Sequence, residues 1–314
     1  MTVLLIVLPY AAAALFLGGV AWRVWRWAAT PVPFRIPTTS GQQASLTWIA
    51  PGRLESPRGW LGVAGRMLLE VLLFRSLFRD TRVRRLQPAG GPVGRLAFIE
   101  RKALWLGAMA FHWALLVIVL RHLRLFVEPA PVVATVLASV DGFLEVGSPV
   151  WYVSDVVVLG ALTYLLVRRL WNPLLRYLSL PIDYVVLLLL LASAGTGVVM
   201  RYVVRPDLAA IEQFTLSLAA LRPTAPAAPG TWFVLHLLSV SLCVGMFPFT
   251  KLMHAAGVWL SPTRNQANDS RRRRHVNPWN APVKVHTYQE WEDEFREKMR
   301  TAGLPLERDP DACP

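Results

Sequence analysis

Thiols are nearly absent: only Cys243 and Cys313 occur in 314 residues. Cys243 lies inside an apolar run and Cys313 in the terminal tail, which argues against a disulfide framework and against a thiolate metal site. Any iron–sulfur chemistry has to sit on another chain. Acidic residues are the minority charge, 20 Asp and Glu against 33 Lys and Arg, for a formal net charge of +13. The basic residues gather at the ends of apolar runs rather than on one polar domain. That is the pattern of membrane topology, and no nucleic-acid partner is expected. The N-terminal stretch MTVLLIVLPYAAAALFLGGVAW has no basic n-region. Its apolar run is also longer than a signal h-region, so it reads as a retained span.

What the chain does have is apolar length. At 54% hydrophobic residues and mean hydropathy +0.40 it reads as an integral membrane protein. Crossing a hydrocarbon core of about 30 Å takes roughly twenty helical residues. Runs of that order lie near 3 to 25, 103 to 125, 150 to 168, 180 to 203 and 231 to 259. The expected fold is therefore an all-α membrane protein, a bundle of five transmembrane helices. Residues 23 to 102 hold fourteen Arg and Lys against four acids, whereas 126 to 149 hold no Arg or Lys and three acids, Glu128, Asp141 and Glu145. The positive-inside rule puts the first segment in the cytoplasm and the second outside. Alternation then predicts a multi-pass protein of the cell's inner membrane with a periplasmic N-terminus and a cytoplasmic C-terminus.

Two cytoplasmic pieces remain. The loop 26 to 102, counted within a transmembrane domain of residues 1 to 260, contains WLGVAGRMLLEVLLFRSLFRD at 60 to 80. Its apolar positions follow a helical period, while Arg66, Glu70, Arg75 and Arg79 interrupt it too often for a span. An amphipathic helix lying in the lipid interface or docked on a partner is expected. The tail from 261 to 314 mixes ten Arg and Lys with nine acids. It is expected to extend along a partner subunit rather than bury a core of its own.

Four histidines fall inside the apolar runs, where an ionisable side chain is a functional hypothesis by default. His112 and His122 are ten residues apart in one run, and His236 and His254 eighteen apart in another. Eighteen residues return to the same helical face about 27 Å along the axis, while ten give about 15 Å and roughly 80° of rotation. Pro248, between His236 and His254, is expected to kink its helix and shorten the longer span. The two helices run oppositely across the membrane, so His122 pairs with His236 on the outer side and His112 with His254 on the inner side. Zinc or copper would need three or four ligands in one shell, and neither pair has a carboxylate or cysteine at its depth. Two haems, each ligated axially by one pair with no open position, suit the arrangement and suit electron transfer. Arg121, Arg124 and Lys251 are placed to pair with haem propionates, or simply to snorkel at helix ends. Gly107, Ala108, Ala114 and Gly245 offer room for a macrocycle, or ordinary helix packing.

The ten- and eighteen-residue spacings resemble the cytochrome b subunit of respiratory nitrate reductase, a five-helix family with crosswise histidine pairs. PVPFRIPTTSGQQASLTWI (31 to 49), GRMLLEVLLFRSLFRDT (65 to 81), FHWALLVIVLRHLRLF (111 to 126), SPTRNQANDSRRRRHVNPWN (261 to 280) and PVKVHTYQEWEDEFREKMRTAGLP (282 to 305) resemble the DsrM family. DsrM is the haem b membrane subunit of the DsrMKJOP complex of sulfur metabolism. The resemblance implies two haem b groups on His112, His122, His236 and His254. It also implies electron exchange between the quinone pool and a cytoplasmic iron–sulfur subunit of the DsrK kind, which acts on the small sulfur carrier DsrC. Other membrane and periplasmic subunits and membrane lipid complete the implied partners. His275 and His286 are read as docking residues in the tail. For the quinone, Tyr152, Asp155, Arg201 and Tyr202 lie at the outer helix ends and Asp183 and Tyr184 near the inner side. Asp155 is the expected proton acceptor, with an ion pair to a neighbouring Arg as the alternative. Other readings stay open: a gamma-like cytochrome b of a different respiratory oxidoreductase, a membrane protein relaying protons through its histidines, and a structural anchor for a catalytic partner.

Overall fold

The computed structural model describes residues 2–30, 52–55, 57–86, 95–100, 102–144, 150–226, 228–261, 264–267, 282 and 285–307. The motif at 31 to 49, the RRRR run at 271 to 274, His275 and Cys313 lie outside them. Helix α1 is Thr2–Ala28, followed by α2 (Trp60–Leu73), α3 (Arg75–Phe78) and a hairpin of β1 (Thr81–Leu86) with β2 (Arg95–Glu100). Next come α4 (Lys102–His122), α5 (Val132–Asp141), the short strands β3 (Gly142–Leu144) and β4 (Trp151–Tyr152), α6 (Val153–Trp171) and α7 (Pro173–Leu178). The C-terminal half adds α8 (Pro181–Val199), α9 (Leu208–Ala219), α10 (Thr231–Met246), α11 (His254–Gly257) and α12 (Tyr288–Thr301).

Among the described residues, four helical stretches are long and apolar enough to cross a membrane: Val3–Ala28, Lys102–Leu125, Pro181–Val204 and Thr231–Phe249. The outward faces of these helices carry Leu4, Val7, Leu17, Leu106, Val119, Leu188 and Leu235, all exposed. Such faces suit lipid rather than water. Helix α6 is 19 residues long but carries Asp155 in its first turn and Arg168 and Arg169 in its last. Those charges keep it out of the apolar four. It is nonetheless central to the packing: the long helices contact one another in the order α1, α10, α8, α6, α4. Phe111 and Ala114 of α4 and Val158, Ala161 and Leu162 of α6 form one buried cluster, and Leu5, Ile211, Phe214, Leu218 and Phe233 form the other.

The all-α expectation is coarser than the molecule. An antiparallel hairpin, Thr81 paired with Glu100 through Leu86 with Arg95, occupies the loop before α4. A second pairing joins β3 to β4. The helix expected at 60 to 80 is interrupted as well. Phe74 adopts a left-handed conformation (φ 48°) between α2 and α3. Glu70 fixes this corner by accepting from the Ser76 backbone N–H at 3.1 Å and from the Ser76 hydroxyl. Arg66 and Glu70 are buried while Trp60, Leu61 and Leu68 face outward, so the apolar face points away from the protein. Donors on α4 reach carbonyls that no helical N–H satisfies at the end of α2: the Trp105 indole donates to Leu73 O at 2.8 Å and Trp113 to Leu72 O at 3.2 Å.

The single helix expected at 231 to 259, kinked at Pro248, is instead broken there. Helix α10 ends at Met246, and two 3₁₀ turns, Phe247–Phe249 and Lys251–Met253, separate it from α11. Thr250 between them is fully extended (φ −120°, ψ −178°). Pro248 supplies no N–H and its ring clashes with the preceding turn, so the ladder stops there instead of merely bending. The proline is almost fully buried and sits over Gly19 of α1, where a Cβ would lie 2.6 Å from the Pro248 ring.

The described residues fall into two compact units, one running up to Arg274 and the other beginning at His275. In the second, Thr287 and Glu290 form a capping box that starts α12, with bonds of 3.2 and 3.0 Å. Met299 is buried, and Glu292, 2% exposed, accepts the Glu307 N–H at 2.8 Å. The tail therefore holds local order that its composition did not suggest.

Candidate functional site

Helix α4 carries His112 in its middle and His122 as its last residue. His236 lies on α10, and His254 opens α11 beyond the Pro248 break. Although α4 and α10 are not adjacent in the packing order, their imidazoles meet in two pairs. The ring centroids of His112 and His254 are 5.8 Å apart with planes at 83°, and those of His122 and His236 are 6.5 Å apart with planes at 25°. This is the antiparallel, crosswise combination.

Each ring is oriented through Nδ1. His112 Nδ1 lies 2.8 Å from Ala108 O, His122 Nδ1 2.7 Å from Ile118 O and His254 Nδ1 2.7 Å from Lys251 O. A carbonyl only accepts, so these three nitrogens carry the proton and Nε2 keeps its lone pair. His236 differs: its Nδ1 is 3.0 Å from the Thr196 hydroxyl on α8. Thr196 Oγ1 lies 2.6 Å from Ala192 O, to which it donates, leaving its oxygen to accept from His236. All four imidazoles thus present an unprotonated Nε2, the state a metal ligand requires, with the opposite nitrogen tied down.

Two imidazoles on opposite sides of one metal, each bonded at about 2 Å, place their ring centroids about 6 Å apart. Both pairs match that separation. Among the described residues no group of three or more His, Cys, Asp or Glu is arranged to hold a metal ion. Each pair is consequently a two-ligand set, and the donor chemistry fits a metal whose other positions come from a macrocycle.

Two of the three cations named for propionates, Arg121 and Lys251, have acidic protein partners. Arg121 pairs with Asp155 at 2.8 Å and Asp141 at 3.3 Å and donates to the Ser154 hydroxyl at 3.1 Å. Its guanidinium stacks on the Tyr152 ring, as does that of Arg201. Asp155 is held on both oxygens, Oδ1 by Arg121 and Oδ2 by the Tyr202 hydroxyl at 2.8 Å. Lys251 reaches Asp183 at 2.6 Å, and Arg169 approaches the same oxygen at 3.3 Å. Arg124 makes no ion pair among the described residues. Tyr184 lies under the Arg169 guanidinium. His286 sits just before Thr287, the capping residue of α12.

The glycines and alanines named for macrocycle access serve other contacts. Gly107 receives the Tyr164 ring, where a Cβ would lie 2.6 Å away, Ala114 is in the α4–α6 core, and Gly245 packs on Ala12. Residues that escaped the sequence reading are Thr196 and Gly197, which face His236, and Phe74, whose ring meets His112 edge-on at 4.9 Å. A threonine in an apolar helix gives no sign of which histidine it meets, and Phe74 depends on a left-handed corner that no glycine announces.

Comparison with known proteins agrees with this architecture. The nitrate reductase gamma subunit family model matches residues 96–268, which contain all four histidines. The "Hdr-like menaquinol oxidoreductase cytochrome b-like subunit" of Archaeoglobus fulgidus is 41% identical over 281 residues, covering 87% of this chain and 82% of the relative. Its counterpart in Archaeoglobus profundus is 40% identical over 281 residues, covering 87% and 81%. The nitrate reductase gamma chain of Bacillus subtilis is 27% identical over 164 residues, 50% of this chain and 73% of the relative. Apolar helices, histidine pairs and sequence likeness converge on a multi-pass membrane protein, and the chain belongs to the nitrate reductase gamma subunit family.

Proposed function

We propose that the chain is the dihaem b, quinone-reactive subunit of a membrane oxidoreductase, passing electrons between the quinone pool and a cytoplasmic iron–sulfur subunit of the DsrK kind. The observation that carries this is the crosswise pairing of four imidazoles at 5.8 and 6.5 Å, each with Nδ1 already bonded. Bound between such pairs, haem b would supply one-electron transfer. His112 and His254 would hold the inner group, and His122 and His236 the outer one. The motifs shared with DsrM favour a DsrMKJOP-like complex in sulfur metabolism, and the relatives' names favour menaquinol as the quinone.

In this reading α6 is the fifth span, with Arg168 and Arg169 at its cytoplasmic end and Asp155 at its periplasmic end. The N-terminus is then periplasmic and the tail cytoplasmic. Asp155 is the proposed proton acceptor near the outer haem, and since Tyr202 donates to its Oδ2, a proton would reach the carboxylate by way of the Tyr202 hydroxyl. Arg124, having no acidic partner among the described residues, is the best-placed cation for a propionate. The exposed apolar face of α2 suits the lipid interface or the partner subunit.

Purified protein is expected to show a reduced-minus-oxidised b-type spectrum and about two haems per chain. A colourless preparation that conducts protons in vesicles would sink the proposal in favour of the relay reading.

A further inference from the structure

We propose that Thr196 and Gly197 of α8 form a seat for His236 and so set the redox behaviour of that one metal centre. This rests on the dihaem reading and adds a positioning role to it. His112, His122 and His254 each spend Nδ1 on a carbonyl of their own segment, three or four residues back. His236 alone leans on another helix, through its 3.0 Å bond to Thr196 Oγ1. The hydroxyl is itself polarised, because it donates to Ala192 O at 2.6 Å. Gly197 completes the seat: a Cβ at that position would stand 3.2 Å from His236 Cε1 and 3.6 Å from Nδ1. A side chain there would press on the ring, so the absence of one lets α8 approach the imidazole edge.

The consequence follows from ligand chemistry. A hydrogen bond accepted from Nδ1–H raises the basicity of Nε2 and favours the more positive, oxidised metal. Losing such a partner typically changes metal affinity 10- to 100-fold. His236 in turn faces His122 with nearly parallel planes, so a rotation of one ring changes the angle between the two ligands. The Ser193 carbonyl, on the same helix and 3.1 Å from the Thr196 hydroxyl, also acts on His236 and is the competing acceptor for its Nδ1 proton.

The test uses the full-length protein in its membrane complex, with haem content, potentiometric titration and low-spin ferric resonance spectra as readouts. T196V keeps the shape and removes the acceptor, T196S restores it, and G197A crowds the ring while leaving the hydroxyl. T196V is expected to weaken the preference of the His122–His236 centre for oxidised iron about tenfold. That raises its midpoint by about 59 mV, with the His112–His254 centre unmoved. T196S should return the wild-type value, and G197A should alter the resonance of the same centre alone. The proposal is overturned if T196V leaves the potential and spectrum unchanged, the Ser193 carbonyl having taken the proton, or if both centres shift together. If T196V does not assemble, G197A with T196S decides by the same criterion. Wild-type protein without haem would instead overturn the functional reading on which the proposal rests.

Discussion

The two histidine pairs use the same chemistry and opposite mechanics. His112 and His254 meet with planes at 83°, each ring bonded to a carbonyl of its own segment, and Phe74 and Phe111 meet His112 edge-on. His254 is held at the start of a four-residue helix that exists only because Pro248 stops α10. His122 and His236 meet with planes at 25°, one ring seated on α8, beside the buried Arg121, Asp141 and Asp155 network. The first pair is positioned by a break in the chain and the second by contacts between helices. Perturbations of the fold should therefore strike them separately.

The largest expected effect divides the pairs outright. His236→Ala and His254→Ala are each expected to remove one haem of two while leaving the redox signature of the other centre, measured by pyridine haemochrome and potentiometry. If either variant lost both haems while retaining its helical content, the two pairs would be one cooperative unit and the contrast would collapse. A smaller effect compares the ion pairs beside them. Asp155→Ala takes from the buried Arg121 its 2.8 Å partner, leaving Asp141 at 3.3 Å as its carboxylate, and removes the acceptor of the Tyr202 hydroxyl. Breaking a buried pair outright typically destabilises by about 3–5 kcal/mol, and the loss here is expected toward the lower end of that range. Lys251 is 68% exposed at its side chain, and Asp183, at 4%, keeps Arg169 when Lys251 is removed. Lys251→Ala is accordingly expected to cost less than about 1 kcal/mol. Thermal unfolding in a single detergent ranks the two, and equal losses would contradict the difference in burial.

The legibility of each pair follows from the same contrast. Pairing was readable because it depends on two long-range facts that sequence records well, hydrophobic length and charge bias across loops. Opposite helix directions then force His112 toward His254. The Pro248 break was legible as a kink but not as two 3₁₀ turns, since its depth depends on Gly19 of α1 accepting the proline ring, a contact 229 positions away in sequence. The sequence places Arg121 and Lys251 at helix ends but does not show their partners Asp141 and Asp183, which lie on other elements; the pair of Asp155 with a neighbouring Arg is the one it offers. The β1–β2 hairpin was missed because TRVRRL reads as charge, not as alternation, although PAGG beyond it is a turn signal. The Thr287 capping box, by contrast, is local and was recorded in the T-x-x-E pattern without being read.

The finest effect concerns ring angle alone. Near-perpendicular axial imidazoles leave the iron's lower orbitals almost degenerate and give a low-spin ferric signal of large anisotropy, whereas near-parallel ones give a rhombic signal. The oxidised protein is expected to show one of each, the anisotropic signal assigned by its loss in His254→Ala and the rhombic by its loss in His236→Ala. Phe74→Ala removes the edge contact on His112, 4.9 Å between centroids, without touching any hydrogen bond of the pair. It should narrow the anisotropic signal's displacement and leave the rhombic one in place, since no atom of Phe74 belongs to the α8 seat. Two rhombic signals in the unmodified protein would mean that ligand planes are set by the macrocycle and not by the carbonyls at Ala108 and Lys251, and the mechanical distinction between the pairs would then stop at the backbone.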